Sequence, residues 1–473
     1  MKYYWLKIIF GPTLFIVALL IGGFGLQVKM VATILWMLSW WVSGVLPLGV
    51  TALLPIVLFP LLGILTLKET TINYANPVIY LFFGGFVLGL AIEKWNLHKR
   101  IALNIIRTCG STPSLIILGS MIATALLSMW ISNTATTVMM LPIGMAVSAL
   151  LGEKITDEKA GKNFGIALML GIAYAANIGG ITTLIGTPPN LVLASIVEES
   201  NLPSIGFSEW LIFALPLVVA LFITTYLLTT RVLFPIKIKK LEGITPLISS
   251  ELKELGKLQA GEKRVMLIML TTAALWIVRA QLNSIPGLSA LSDTAIAIMA
   301  SITLFIVPSA KRQKPLLQWQ DTEKLPWGIL LLFGGGISLA KGMEKTKIVE
   351  LLGDWISEGT APQTIVLVLV VCALALFLTE VMSNVALVSV FIPVSFVIAQ
   401  NFGLNELQLA IPLTIAASCA FMFPISTPPN AIVFSSGYLK LNHMARAGIV
   451  LNFISIMFIT LYCYWVVPYI FDA

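Results

Sequence analysis

The sequence predicts an all-α membrane protein with about 11 transmembrane helices and two re-entrant hairpins. Of its 473 residues, 58% are hydrophobic and only 11% are charged, and the mean hydropathy is +0.96. Because roughly a quarter of the residues in soluble domains are charged, this composition excludes a soluble fold. Lipid offers the backbone no hydrogen-bond partners, so apolar runs of about 20 residues are expected to span as helices.

Uninterrupted apolar runs predict the ordinary spans. The first is interpreted as an uncleaved helix within residues 1–27, because the run is long and no small-x-small cleavage site follows it. A polar segment, 236–263, is predicted to be a cytoplasmic linker between a first repeat (28–235) and a second repeat (264–473). The predicted spans are 7–26, 30–46, 49–66, 78–98, 207–235, 264–281, 289–308, 326–342 and 446–470.

A polar interruption occurs in two similar apolar stretches. They read SMWISNTATTVMMLPI (128–143) and TEVMSNVALVSVFIPV (379–394). In each, two apolar arms that are too short for comfortable spans meet at a Ser-Asn pair, which predicts re-entrant hairpins over 113–150 and 363–400. The first tip is Ser132-Asn133-Thr134 and the second is Ser383-Asn384-Val385.

Two further motifs repeat in the same order. GTPPN (186–190) and STPPN (426–430) lie about fifty residues after the tips, in runs predicted to be broken helices over 164–198 and 408–438. The first run is predicted to break at Gly179-Gly180 and again at Pro188-Pro189. Phe83-Gly84-Gly85 matches Phe333-Gly334-Gly335 at nearly the offset of the tips. Three matches in order predict an internal duplication.

The basic residues predict the topology. With the amino terminus in the cytoplasm and each hairpin returning to the side it left, 23 of the 29 Lys and Arg residues lie inside. This arrangement places the carboxyl terminus outside and makes the two repeats inverted. Inverted repeats that share a midplane site supply the two conformations that alternating access requires. The net charge of +7 is dispersed among loops with acids, so no nucleic-acid partner is expected.

The composition leaves little material for catalysis or for a transition-metal site. The four cysteines lack metal or redox spacing and are interpreted as packing residues, and there are only two histidines. HExxH and P-loop motifs are absent from the sequence. We therefore expect no enzyme and no cofactor other than bound cations, and treat a membrane-embedded enzyme or a passive anion channel as remote alternatives.

The tips have the chemistry of an ion-binding site. Each arm after a Ser-Asn pair begins a half-membrane helix, whose free N–H groups and dipole favour an anion. Carbonyls released at helix breaks favour a small cation. Neither the tips nor the breaks contain Lys or Arg. Helix capping or helix association would explain a single Ser-Asn pair better than a binding site would, but its duplication on opposed hairpins favours a binding site.

Together, the paired tips, the Thr-Pro-Pro-Asn motifs and the Phe-Gly-Gly runs resemble the divalent anion/sodium symporter (DASS) family, the INDY-type dicarboxylate transporters, over nearly the whole chain. The resemblance implies a homodimer in the lipid of the cell membrane, with scaffold and transport domains that work as an elevator. It implies di- or tricarboxylate substrates such as succinate, malate, fumarate or 2-oxoglutarate.

The resemblance also implies roles for individual residues. The substrate would bind Asn133, Thr134, Asn384, Val385, Thr187, Pro188, Thr427 and Pro428. One sodium ion would bind Ser128, Ser132, Asn133 and Gly180, and a second, more weakly, Thr379, Ser383, Asn384 and Ser426.

The second tip departs from the family's usual Ser-Asn-Thr, because Val385 offers no hydroxyl to a carboxylate. A lost hydrogen bond to a charged group costs about 1.5 to 3 kcal/mol. We therefore expect a dicarboxylate exchanger (antiporter), with a sodium-coupled symporter as the alternative. Glu380 stands in an expensive place for a charge. Its expected role is to stabilise the tip backbone, and coupling to protons or cations is the alternative.

Overall fold

The computed structural model describes residues 2–154, 157–200, 202–236, 244–309, 314–348 and 363–471, and their regular structure is helical. Within these ranges nine helical segments are long and apolar enough to cross a bilayer, and several shorter apolar helices accompany them. The predicted class, a polytopic helical membrane protein, is thereby confirmed.

The amino-terminal helices follow the predicted order, with one difference in the third span. The predicted span 49–66 is two short helices, because Pro55 opens the second helix and Gly63, with φ of +71°, ends it. The helices are α1 (Lys2–Gly22), α2 (Leu26–Ser43), α3 (Leu48–Thr51), α4 (Leu54–Leu62), α5 (Leu67–Ile72), α6 (Pro77–Lys94) and α7 (Leu97–Cys109).

The first hairpin and the first broken helix come next. The predicted break at Gly179-Gly180 is wrong, because the helix continues through both glycines to Ile181. A methyl group at Gly179 would lie 2.5 Å from the Cα of Ala125, so this glycine permits close helix packing. The helices are α8 (Pro113–Ser128), α9 (Asn133–Lys154), α10 (Glu158–Ile181), α11 (Pro188–Glu199) and α12 (Phe207–Leu227), which continues as a π-helical turn (Leu228–Leu233).

The second half contains the second hairpin and the second broken helix. The described part of the polar linker includes one helix, which packs against α7. The helices are α13 (Ile244–Glu254), α14 (Ala260–Leu282), α15 (Asp293–Ile306), α16 (Trp327–Lys345), α17 (Thr364–Thr379), α18 (Asn384–Asn401), α19 (Leu407–Ser418), α20 (Pro428–Phe434) and α21 (Leu441–Phe471).

The two Phe-Gly-Gly runs lie at close helix contacts. A methyl group at Gly84 on α6 would lie 2.5 Å from the Cβ of Ala297 on α15 and 2.8 Å from its backbone carbon. The Phe82 and Phe333 rings join α6 to α16, with centroids 4.5 Å apart. These glycines therefore serve packing, as the absence of a P-loop ending indicates.

The two hairpins and the two broken helices interlock. Helix α11, after the first break, packs against α18 of the second hairpin, and α20, after the second break, packs against α9 of the first hairpin. Each hairpin also contacts its own broken helix, α8 with α10 and α17 with α19. The tips and breaks of both halves therefore belong to one packed unit.

Candidate functional site

The first tip lies directly on the first broken helix. Helix α8 ends at Ser128 and α9 begins at Asn133. A methyl group at Gly180 would lie 2.5 Å from Asn133 Oδ1, so the Asn133 amide occupies the space that a side chain at Gly180 would need. Glycine at this position is what allows the Asn133 amide to rest against α10.

Oxygen atoms gather around this contact. A methyl group at Gly186 would lie 2.4 Å from the carbonyl oxygen of Gly180 and 3.0 Å from that of Ser128. Among the described residues, the buried Ser128 Oγ and Asn133 Oδ1 have no hydrogen-bond partner. Neutral hydroxyl, amide and carbonyl oxygens at a helix break suit a small hard cation. The arrangement therefore fits a sodium ion.

Side chains stabilise the first break. The Asn190 amide donates to the carbonyls of Ile181 (3.2 Å) and Thr183 (2.9 Å), and the Thr183 hydroxyl donates to the carbonyl of Met129 in the tip (2.6 Å). Asn190 thus reaches back from the Thr-Pro-Pro-Asn motif to carbonyls that the broken helix leaves unpaired.

The second tip makes an equivalent contact with the second broken helix. The Thr379 hydroxyl lies 2.7 Å from both Asn384 Oδ1 and the carbonyl oxygen of Ala417, and its single proton is donated to one of them. The tip and the end of α19 are therefore joined through one hydroxyl.

The asparagine of the second Thr-Pro-Pro-Asn motif stabilises the second break, as Asn190 stabilises the first. The Asn430 amide donates to the carbonyls of Ala420 and Phe423 (both 3.1 Å). Ser426 Oγ donates to the Phe423 carbonyl (2.5 Å) and lies 3.4 Å from the Asn430 amide nitrogen. Asn430 Oδ1 is buried and, within the described ranges, unpartnered.

Glu380 binds the second break, and not its own tip as expected from sequence. Its Oε1 accepts hydrogen bonds from the N–H groups of Phe421 (2.8 Å) and Met422 (2.9 Å), and its Oε2 accepts from those of Met422 (3.1 Å) and Phe423 (3.3 Å). The Asn452 amide on α21 donates to Oε1 (2.8 Å). With 2% exposure, the carboxylate is surrounded by donors.

Two residues of α10 bind the second break, and neither is predicted from the sequence. The Asn177 amide donates to the carbonyl of Ala420 (3.3 Å) and to the hydroxyl of Thr427 (3.2 Å). The Tyr174 hydroxyl donates to the carbonyl of Phe421 (2.8 Å). A polar residue inside the apolar run of α10 was the available signal, since a buried amide in a membrane helix requires partners.

The remaining predicted residues differ in exposure. Thr134 is exposed, whereas Val385 at the matching position is buried. Ser132 is exposed and its hydroxyl accepts from the Ala135 N–H (3.2 Å), so this side chain caps α9. The other predicted residues lie at the ends of the breaks: Thr187, Pro188, Thr427 and Pro428 at the starts of α11 and α20, and Ser383 as the residue before α18.

Two clefts elsewhere offer no comparable chemistry. One, about 480 Å³, is lined by Trp95 and residues 255–261 beside the polar linker. The other, about 290 Å³, lies between α7, α9 and α13, with His98, Lys99 and Glu251 among its lining residues. Neither is lined by a residue of the tips or the breaks, so the tips and breaks remain the candidate site.

Comparison with known proteins identifies the family. Residues 4–470 match the family model described as the sodium:sulfate symporter transmembrane region. The chain is 39% identical to the sodium-dependent dicarboxylate transporter SdcS of Staphylococcus saprophyticus and 40% identical to that of Staphylococcus aureus. Each alignment covers 98% of this chain and 91% of the relative.

Two solved structures share the fold at low identity. The YdaH transporter of Alcanivorax borkumensis aligns with a TM-score of 0.54 and 15% identity, covering 85% of this chain and 89% of that one. MtrF of Neisseria gonorrhoeae aligns with a TM-score of 0.57 and 14% identity, covering 84% and 83%. The match over nearly the whole chain, with the identity to the staphylococcal proteins, shows that this protein is a membrane transporter, not an enzyme, and belongs to the divalent anion/sodium symporter family.

Proposed function

We propose that this protein is a sodium-coupled symporter that carries dicarboxylates of the succinate class across the cell membrane. The observation that carries the proposal is the identity of about 40%, over 98% of the chain, to proteins named sodium-dependent dicarboxylate transporters. The oxygen cluster at the first tip and the Thr379–Asn384 contact at the second supply sites for the coupling ions.

The expectation of exchange is not supported, and the sodium-coupled alternative fits the relatives better. That expectation assumed that residue 385 sets the coupling mode. Val385 is buried at 9% exposure, whereas Thr134 is exposed. The cation-binding atoms of the second tip would come from Thr379 and Asn384, which are present, so valine at position 385 leaves coupling intact.

The proposed sodium sites use oxygens at the two helix breaks. At the first, Ser128, Asn133 and the carbonyl of Gly180 would bind one ion. At the second, Thr379, Asn384 and the backbone near Ser426 would bind another. Backbone carbonyls at interrupted membrane helices are established sodium ligands in transporters of this general design.

The proposed anion site lies where α9 and α18 begin, at Asn133 and Asn384. Free N–H groups at these ends, with the hydroxyl of Thr134, would donate to the two carboxylates. Since no Lys or Arg lies in the tips or breaks, bound sodium would supply the balancing charge. An anion that depends on bound cations for its charge balance is thereby coupled to them.

We further propose that the interlocked hairpins and broken helices move as one unit against α6 and α16, in an elevator motion within a homodimer. Glu199, at the end of α11, meets Lys341 (3.2 Å) on α16 and Asn76 (3.1 Å) before α6. The side chains of this ion pair are partly exposed, so it contributes no more than about 1 kcal/mol and is weak enough to open in each cycle.

The charge distribution supports a cytoplasmic amino terminus and an extracytoplasmic carboxyl terminus.

Uptake of labelled succinate into proteoliposomes tests the function. We expect an inward sodium gradient to drive accumulation into vesicles that contain no internal dicarboxylate, and a choline gradient to drive none. Uptake that requires internal dicarboxylate and ignores sodium would restore the exchanger and overturn the proposal.

The tip asparagines should be essential. We expect Asn133→Ala and Asn384→Ala each to reduce uptake by at least about tenfold, because each removes hydrogen bonds to a charged ligand worth about 1.5 to 3 kcal/mol. Asn104→Ala is the matched control, since the one hydrogen bond of the Asn104 amide to the described residues is to the Arg100 carbonyl in its own helix. Uptake by either tip variant at the level of the control would remove that asparagine from the site.

Glycine at position 180 should matter for sodium more than for folding. Gly180→Ala places a methyl group against the movable Asn133 amide, so we expect the sodium concentration for half-maximal uptake to rise about tenfold or more. On the same helix, the atoms nearest to a methyl group at Gly171 would be those of Met121 (3.0 and 3.1 Å) and Ile117 (3.6 Å), none of them in the tip, so Gly171→Ala serves as the control. Equal sodium dependence in the two variants would contradict the first sodium site.

Val385→Thr should leave coupling unchanged. Because residue 385 is buried and lies outside the proposed cation ligands, we expect half-saturation by sodium to stay within about twofold of wild type. Sodium titration of initial uptake rates measures this. A large change in sodium dependence, in either direction, would show that position 385 does set the coupling mode.

A further inference from the structure

The two halves differ at one buried position of the tip. Glu380 stands four residues before Asn384, and the residue four before Asn133 is Met129. Glu380 is only 2% exposed and stands between the apolar helices α17 and α18, where a carboxylate requires strong partners. The duplication therefore placed a charge in one copy of the site and an apolar thioether in the other.

The two breaks differ in length. The first comprises the six residues 182–187, and the second comprises the nine residues 419–427. In the longer break, the N–H groups of residues 421, 422 and 423 lack the carbonyl partners that a continued helix would provide. These three N–H groups donate hydrogen bonds to the carboxylate of Glu380. The carboxylate replaces the missing part of the helix.

Thr379, the residue before Glu380, binds the carbonyl that the second break leaves unpaired at the end of α19. The Ala417 carbonyl, which a continued helix would pair with the N–H of Phe421, lies 2.7 Å from the Thr379 hydroxyl. The same hydroxyl lies 2.7 Å from Asn384 Oδ1. Thr379 and Glu380, adjacent in sequence, thus fix the second break against the oxygen atoms of the second tip.

The last helix holds Glu380 and the break together. The Asn452 amide donates to Oε1 of Glu380, and Gly448, one turn earlier on α21, lies against the break. A methyl group at Gly448 would come within 2.5 Å of the backbone of Met422 and Phe421. The break is therefore enclosed between the second tip and α21.

We propose that Glu380 is a positioning residue for the second sodium site, an inference that rests on the proposed function. It acts through the backbone of residues 421–423 and does not bind the ion, since both its oxygens are occupied by N–H donors. A glutamine cannot replace it, because its amide would turn two N–H donors toward the donors of the break. Loss of the carboxylate releases the break and displaces the ligands near Asn384 and Ser426.

The test measures sodium binding without transport. We titrate purified full-length protein in detergent with sodium chloride, at ionic strength held constant with choline chloride, and follow the melting temperature, which rises when an ion binds the folded state. For Glu380→Gln we expect the midpoint of this titration to rise about tenfold or more, the usual cost of losing a supporting group behind a metal site.

The control is Glu262→Gln. Glu262 is also buried, but it pairs with Arg100 near the polar linker, far along the chain from either tip. We expect this variant to lose thermal stability and keep the sodium midpoint of wild type. If Glu380→Gln also loses stability with an unchanged midpoint, its role is structural only and the proposal is overturned.

Uptake assays separate the remaining outcomes. With sodium saturating, we expect Glu380→Gln to keep the succinate KM within about twofold of wild type and the same pH profile of uptake. A flattened pH profile would make Glu380 a proton carrier and overturn the proposal. If Glu380→Gln does not fold, Asn452→Ala should give a smaller rise in the sodium midpoint, and no rise would overturn it. A wild-type protein whose melting temperature ignores sodium would contradict sodium coupling itself.

Discussion

Every backbone N–H and C=O group inside the hydrocarbon region needs a partner within the protein, and the rest of this structure follows from that constraint. Continuous helices satisfy it automatically. The two tips and two breaks do not, and they leave donors and acceptors that side chains or ligands must satisfy. Among the described residues, Asn133 Oδ1 and Ser128 Oγ are buried oxygens without a hydrogen-bond partner, and they are atoms that we propose as ligands of a bound sodium ion.

The two halves of the chain satisfy this constraint in related but unequal ways. In both, the asparagine of the Thr-Pro-Pro-Asn motif donates back to two carbonyls of its break, Asn190 in the first half and Asn430 in the second. The longer second break also requires acceptors for its N–H groups, and Glu380 provides them. Asn177, on α10 before the first break, donates directly to two residues of the second break, so the second break is held against the first broken helix.

The sequence predicted much of the fold because hydropathy and repetition are local signals. The positions of the tips, the Thr-Pro-Pro-Asn motifs and the helical membrane class can all be predicted from the sequence. The contacts of Glu380, Asn177 and Asn452 were not, because they join residues that lie between about 40 and 250 positions apart. Gly179-Gly180 was mistaken for a break because a packing glycine and a helix-breaking glycine look alike without the neighbour that fills the space.

Val385 shows that the coupling mode cannot be inferred by comparing the two tips one position at a time. Equivalent positions in a duplicated motif need not have equivalent surroundings, and Thr134 and Val385 differ in exposure. Coupling in the present account depends on oxygens one turn before each helix start, at Ser128 and Thr379, and on the asparagines that begin α9 and α18. In the proposed function, the anion and the cations bind to one packed unit, and each stabilises the binding of the other.

The dependence of anion binding on sodium binding, and of sodium binding on the anion, is measured most directly by calorimetric titration of the purified protein with succinate. At matched ionic strength, we predict that succinate binds in sodium chloride and binds at least about tenfold more weakly in choline chloride. Linkage requires that succinate strengthen sodium binding by the same factor. Equal succinate affinity in the two salts would show that succinate and sodium bind independently, which contradicts coupled binding.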